Sequence, residues 1–225
     1  MNKAGQDGFT LWELLVTLLV AGVLLGVGVP NVIAFQRNSA MTSAANDVVT
    51  AILMARTEAV KRQVPVTWCL SDDPLAANPT CLPNAVTDSV TRGFIVWVDE
   101  NNNPVNGIPT LTDPTDGNAV VDAGELVLAR TATPGGTIRV SANCGHAAFL
   151  PTGRTRQVGG LCFPQTRAVL YCDDRGRAVA PGALSSARVV RIDRPGRAQV
   201  LQEQAGVDTV ITVVLPASGV NPTCP

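Results

Sequence analysis

Residues 9–29 form an apolar run whose only charged side chain is Glu13. The run is 21 residues long, and a helix that crosses a bilayer needs roughly 20 at ~1.5 Å each. A carboxylate at membrane depth costs at least ~2.5–3.5 kcal/mol on insertion scales, which makes Glu13 a functional candidate by default. The leader before the run, 1–8, is too short for a secretory apolar core and carries one cation, Lys3, beside Asp7. An ordinary signal peptide is cut after its apolar stretch. Here the small residue, Gly8, comes before it, so processing at that point keeps the apolar helix in the mature chain.

A length of 225 residues suits one domain plus this anchor. The net charge of −1 conceals an asymmetry. Residues 63–129 hold nine acids against Arg92 alone, and 130–200 hold eleven Arg against Asp173, Asp174 and Asp193. The two halves thus carry about −8 and +8, which bears on partners more than on fold. The six cysteines, Cys69, Cys81, Cys144, Cys162, Cys172 and Cys224, all follow the apolar run. An even number in an exported head reads as disulfides. Fifteen pairings are possible for six cysteines. The preferred one is Cys69 with Cys81, which closes a short loop containing Pro74 and Pro79. No Cys-x-x-Cys occurs and His146 is the sole histidine, so a zinc site lacks both spacing and ligands.

Beyond Pro30 the apolar positions Met41, Ala45, Val48, Ile52, Ala55 and Ala59 advance by four or three, one stripe of a helix. Asn46, Thr50, Arg56, Glu58 and Lys61 fall mostly elsewhere, and Pro65 ends the pattern. A continuous helix over 9–62 would span about 80 Å, its first half in lipid and its second half against a head. After Val64 the sequence reads as short β-rich runs at 64–70, 93–98, 125–130, 137–140, 147–150, 168–172, 188–192 and 210–215. Turn chemistry separates them at 106–107, 116–117, 134–136, 151–153, 174–176 and 195–196. A long helix followed by such strands predicts an α+β fold with a mainly antiparallel sheet.

The junction Gly8-Phe9, the Glu13 five places after it, the uncharged run and Pro30 resemble the N-terminus of type IV pilins and pseudopilins. The segments 55–69, 93–99, 122–128, 149–154 and 188–197 look like those of the GspH/FimT minor pilins, so the likeness covers about residues 5–201. The tail from Leu201 to Pro225 extends beyond it. The resemblance implies a type IV pilin-like fold: leader 1–8, transmembrane and assembly helix 9–30, amphipathic helix 31–63, and β-rich head 64–225. It implies cleavage after Gly8 by a prepilin peptidase and N-methylation of Phe9. Glu13 would pair with the N-terminal amine of a neighbouring subunit, relieving a carboxylate in lipid, or would mainly mark the peptidase site. Pro30 corresponds to the family's helix-kinking proline. The implied protein is a non-enzymatic structural subunit of a type IV pilus or a type II secretion pseudopilus, in the bacterial inner membrane with its head in the periplasm. Its partners would be other pilins or pseudopilins, the peptidase and the inner-membrane assembly platform. The alternative is a DNA-binding minor pilin acting in uptake.

Three further groups are candidates. Asp116, Asn118, Asp122 and Glu125 bring oxygen ligands together at spacings like those of a calcium loop. Pro114 stands where the first Asp belongs and the Gly comes early, so a solvated turn is the preferred reading. Arg154, Arg156, Arg175, Arg177, Arg194 and Arg197 lie at or near glycine-containing turns, where guanidinium groups can fork onto phosphates. Only Phe163 and Tyr171 lie nearby as aromatics, which does not support base stacking. Docking on an acidic neighbour, such as the acidic half of another copy, is preferred to nucleic acid. His146 with Ser141 or Cys144 lacks any accompanying nucleophile or phosphate-loop motif, and no cofactor is expected.

The purified chain is expected to carry its cysteines oxidised. Alkylation followed by mass spectrometry measures this, and four or more free thiols would contradict it. Removing Cys69–Cys81 should cost roughly 2–4 kcal/mol.

Overall fold

The helical spacing after Pro30 continues the apolar run without interruption. In the computed structural model α1 spans Leu11–Arg62 with Pro30 inside it. Residues 9–82, 86–89, 93–99, 121, 124–133, 138–156, 167–176, 184–211 and 215 are described. The chain divides into two units, Met1–Ala40 and Met41–Pro225, and α1 contributes to both.

In the first unit the large side chains Phe9, Leu11, Trp12, Leu18, Leu24 and Leu25 are exposed. Two polar side chains within it bond back to the helix backbone. Thr17 Oγ1 donates to the Leu14 carbonyl at 2.9 Å and Asn31 Nδ2 to the Val27 carbonyl at 3.0 Å. Among the described residues this is the one helix long and apolar enough to cross a membrane.

The second unit is built on the other end of α1. Met41, Ala44, Ala45, Val48, Ala51, Ile52, Ala55 and Ala59 are buried there, including every position expected from the spacing. Helix α1 stops at Gln63, whose φ of 59° is left-handed, and Pro65 then prevents resumption. Ten strands follow. Sheet A joins β4 (Val127–Ala132), β3 (Gly93–Val98), β1 (Val66–Ser71), β6 (His146–Phe149) and β7 (Thr155–Arg156) in that order. Sheet B joins β10 (Ala198–Glu203), β9 (Leu184–Ile192), β8 (Arg167–Cys172), β5 (Arg139–Ala142) and β2 (Val86–Ser89). Every pairing is antiparallel.

Alternation along the strands decides what each face meets. Val66, Trp68 and Leu70 of β1, Phe94, Val96 and Val98 of β3, Val169 and Tyr171 of β8, and Val190 and Ile192 of β9 share one core with the α1 stripe. The helix supplies five alanines to that stripe, while the sheets supply Trp68, Phe149 and Tyr171, so small faces large. Trp68 and Phe94 add a tilted ring contact with centroids 6.0 Å apart. The opposite face of sheet A holds Cys69, Ile95 and Trp97 together, with Cys81 packed against them. Cys69 and Cys81 form the expected disulfide. Cys144 and Cys172 are disulfide-bonded too, and Cys162 and Cys224 lie outside the described residues.

The run 210–215 was expected as a strand, and the structure differs. Helix α2 spans Gln204–Thr209 and its cap residue Val210 is helical; 212–214 lie outside the described residues. Val207, Val210, Ile211 and Leu215 pack on Ala168, Leu170, Ala187 and Val189, the outer face of sheet B. Their spacing of three, one and four is a helical stripe, and it overrides the β-branched composition. Strands β2, β7 and β10 were not expected: β7 has two residues, and β2 and β10 mix polar residues with few apolar ones.

His146 is buried on β6, and its pKa is held down to about 4, by burial first and then by Arg167. Between pH 6.5 and 4 the unfolded chain therefore binds a proton that the folded chain refuses. Stability should fall as pH drops through that window, by about 3 kcal/mol in all. Urea melts of the parent and of His146→Gln in detergent, at several pH values, should show a shallower pH slope in the variant. Equal slopes would remove His146 as the cause.

Candidate functional site

A helix begins with backbone N–H groups that lack intrahelical acceptors, and a Thr-x-x-Glu sequence supplies them. Thr10 and Glu13 do so here. The backbone N–H and the hydroxyl of Thr10 both donate to Glu13 Oε2, at 3.1 and 3.0 Å, and the Glu13 N–H contacts Thr10 Oγ1 at 3.3 Å. The carboxylate therefore completes a capping box. The Thr-x-x-Glu motif that carries this role is local and legible in the sequence. Phe9, directly before it, is 80% exposed. Gly8 lies outside the described residues. Pro30 sits within α1, where its missing N–H leaves the Gly26 carbonyl without its usual partner.

The arginines of the basic half divide between different ends of the head. Two tight turns lie side by side. In one, the Gly153 N–H donates to the Leu150 carbonyl at 2.8 Å and the Leu150 N–H to the Arg154 carbonyl at 2.9 Å. In the other, the Gly196 N–H donates to the Asp193 carbonyl at 2.8 Å and the Asp193 N–H to the Arg197 carbonyl at 2.9 Å. Thr155 joins them by donating through its N–H and its hydroxyl to the Arg194 carbonyl, at 3.2 and 2.9 Å.

Glycine permits this closeness. A Cβ on Gly196 (φ +80°) would stand 2.7 Å from the Gly153 carbonyl oxygen. One on Gly153 (φ +73°) would stand 3.2 Å from Arg56 Nε and 3.3 Å from Val60 Cγ2. Arg154, Arg194 and Arg197, all exposed, are thus brought beside Arg56 and Val60 of α1. Arg56 was not among the sequence candidates, because off the apolar stripe of a helix it reads as an ordinary solvated residue. Two residues further on, Glu58 contacts Arg62 at 2.5 Å and Lys61 at 3.6 Å.

Arg175 does not join this surface. It follows β8, whose register with β9 places Arg167 opposite Ile192 and Tyr171 opposite Arg188. The turn after Cys172 is therefore at the other end of the hairpin from Arg194. Arg175 contacts Asp173, itself buried, at 2.6 and 2.8 Å, which makes it a strut of that turn. The backbone of Arg156 belongs to β7, and Arg177 lies outside the described residues. So do Asp116, Asn118 and Asp122; Glu125 is partly buried just before β4. Among the described residues no three His, Cys, Asp or Glu side chains form a metal cluster. Cys144, as a disulfide sulfur, is not a nucleophile.

The family model described as type II transport protein GspH matches residues 44–196. Two crystal forms of the type IV minor pilin FimU of Pseudomonas aeruginosa resemble the chain. One is 17% identical, with a TM-score of 0.42, over 76% of this chain and 94% of that one. The other is 18% identical, with a TM-score of 0.38, over 71% and 91%. A comparison with curated proteins finds no match. The family match takes in the buried half of α1 from Ala44, both sheets as far as β9 and the two glycine turns up to Gly196, and on that extent the chain belongs to the GspH family.

Proposed function

We propose that this chain is a membrane-anchored minor pilin or pseudopilin, a subunit that acts by packing in a filament. The observation that carries the reading is the first unit: an exposed apolar helix headed by one carboxylate, on a chain whose head matches the GspH family. In this reading a prepilin peptidase cuts after Gly8 and Phe9 becomes the methylated N-terminus. Residues 9–30 then hold the subunit in the bacterial inner membrane with its head in the periplasm. Glu13 meets the Phe9 amine of a neighbouring subunit on the assembly platform. A carboxylate has lone pairs enough for both Thr10 and an incoming ammonium, so capping in the single chain preserves the charge that pairing later uses.

The reading covers both a type IV pilus and a type II secretion pseudopilus, since the family description names transport and FimU is a pilus subunit. The alternative, a DNA-binding subunit serving uptake, rests on the arginine surface alone. The nine acids of 63–129 in the same head oppose the approach of a polyanion.

Glu13→Val should be cleaved normally, as intact mass shows, yet be depleted about tenfold or more from sheared filament fractions, since one uncompensated charge contact is worth over ~1.4 kcal/mol in lipid. Glu13→Gln separates capping from charge, because its amide oxygen still accepts from Thr10. It should fail like the valine variant. Normal incorporation of Glu13→Val would overturn the assembly role of the carboxylate.

A further inference from the structure

Strand β1 connects two surfaces of opposite character. At its start Val66 pairs with Phe149, and a Cβ on Gly196 would stand 3.2 Å from that ring. This is the end that carries Arg154, Arg194, Arg197 and Arg56 around Val60, which is 45% exposed. At its other end Ser71 runs into the loop that the Cys69–Cys81 disulfide closes. Asp72 and Asp73 are exposed at the head of that loop, and Leu75 beside them is 66% exposed. Five residue steps along β1 separate the ends by about 17 Å.

The acidic loop is held in shape before any partner arrives. Besides the disulfide, the Leu82 N–H donates to the Leu70 carbonyl at 2.8 Å and the Ala76 N–H to the Asp73 carbonyl at 3.3 Å. The Arg130 guanidinium of β4 donates to the Ala76 carbonyl. The arginine surface is equally fixed by the contact of its two glycine turns. Each surface has an apolar residue set among like charges, Val60 on one and Leu75 on the other, and the signs are opposite.

We propose that the arginine surface of one head receives the disulfide-closed acidic loop of a second copy of this chain, joining heads head-to-tail along β1. Such a contact is heterologous: the two patches differ and lie at opposite ends of one strand, so repetition extends an open array rather than closing a dimer. It rests on the reading of the chain as a packing subunit and gives that subunit a partner and a direction. Duplex DNA is the weaker occupant, because the surface is compact, has no exposed aromatic among the described residues of the head and sits on a head with no net positive charge to attract a polyanion.

The test uses the full chain in detergent micelles, followed by sedimentation at about 50 mM and about 500 mM salt, where screening lengths differ severalfold. The parent should self-associate at low salt and dissociate at high salt. Arg194→Glu with Arg197→Glu, and separately Asp72→Lys with Asp73→Lys, should each weaken association at least about tenfold. Mixing the two variants should restore it, because each then meets its complement. Thermal melts of each variant show that it is folded; the milder Arg194→Gln with Arg197→Gln replaces an unfolded arginine variant, and Asp72→Asn with Asp73→Asn an unfolded acidic-loop variant. A parent that stays monomeric, reversals without effect, or no recovery on mixing would each overturn the proposal. So would salt-dependent binding of a duplex to the arginine surface without self-association. None of these readouts depends on cleavage or on Glu13, so failure here is distinct from failure of the filament assay.

Discussion

The contact between the inner stripe of α1 and the two sheets is the interaction on which the head depends. Ala44, Ala45, Ala51, Ala55 and Ala59 let the helix approach closely, while Trp68, Phe149 and Tyr171 fill the space from the sheet side. Cores of this density resist a change of even one methylene, and overpacking costs roughly 1–3 kcal/mol. Both sheets bury alternate residues in the same cluster, so neither has a complete core without the helix. Tyr171 shows how tightly the layers meet: burial pushes its phenol pKa upward, and the Asp47 carboxylate on α1 adds to the shift.

A different physics governs the other unit. Its side chains face outward along a helix that ends in a capping box, so what stabilises it is the surrounding medium and the hydrogen bonding of its own backbone. The two units share one helix, exposed along its apolar length in the first and buried along one stripe in the second. The two faces can then be altered separately by substitution, since a change at Leu18 touches only the exposed apolar face of the helix and a change at Ile52 touches the core.

Much of this was legible from residues whose roles are set locally. The stripe from Met41 to Ala59, the end of the helix before Pro65 and the seven runs that became strands follow from period and turn chemistry. Cys69–Cys81 was legible because a short loop with two prolines brings its ends together. The helical character of Val210 was not, because β-branched residues favour strands until an uncovered sheet face nearby selects otherwise. The arginine surface was half legible. Arg154, Arg194 and Arg197 stood out beside glycines, but their meeting with Arg56 depends on a glycine-to-glycine contact between segments some forty residues apart. Arg175 looked equivalent in sequence, yet the register of β8 with β9 sends it to the other end.

The family match ends at residue 196, whereas the outer face of sheet B is covered by residues that follow it. Leu170 and Val189 are fully buried because Val207, Val210, Ile211 and Leu215 lie over them. A relative that stops where the match stops has nothing to cover those two positions, and solvent would then select polar side chains there. The tail and the apolar face beneath it are therefore physically interdependent: removing Val207, Val210, Ile211 and Leu215 would leave Leu170 and Val189 as an apolar surface in water.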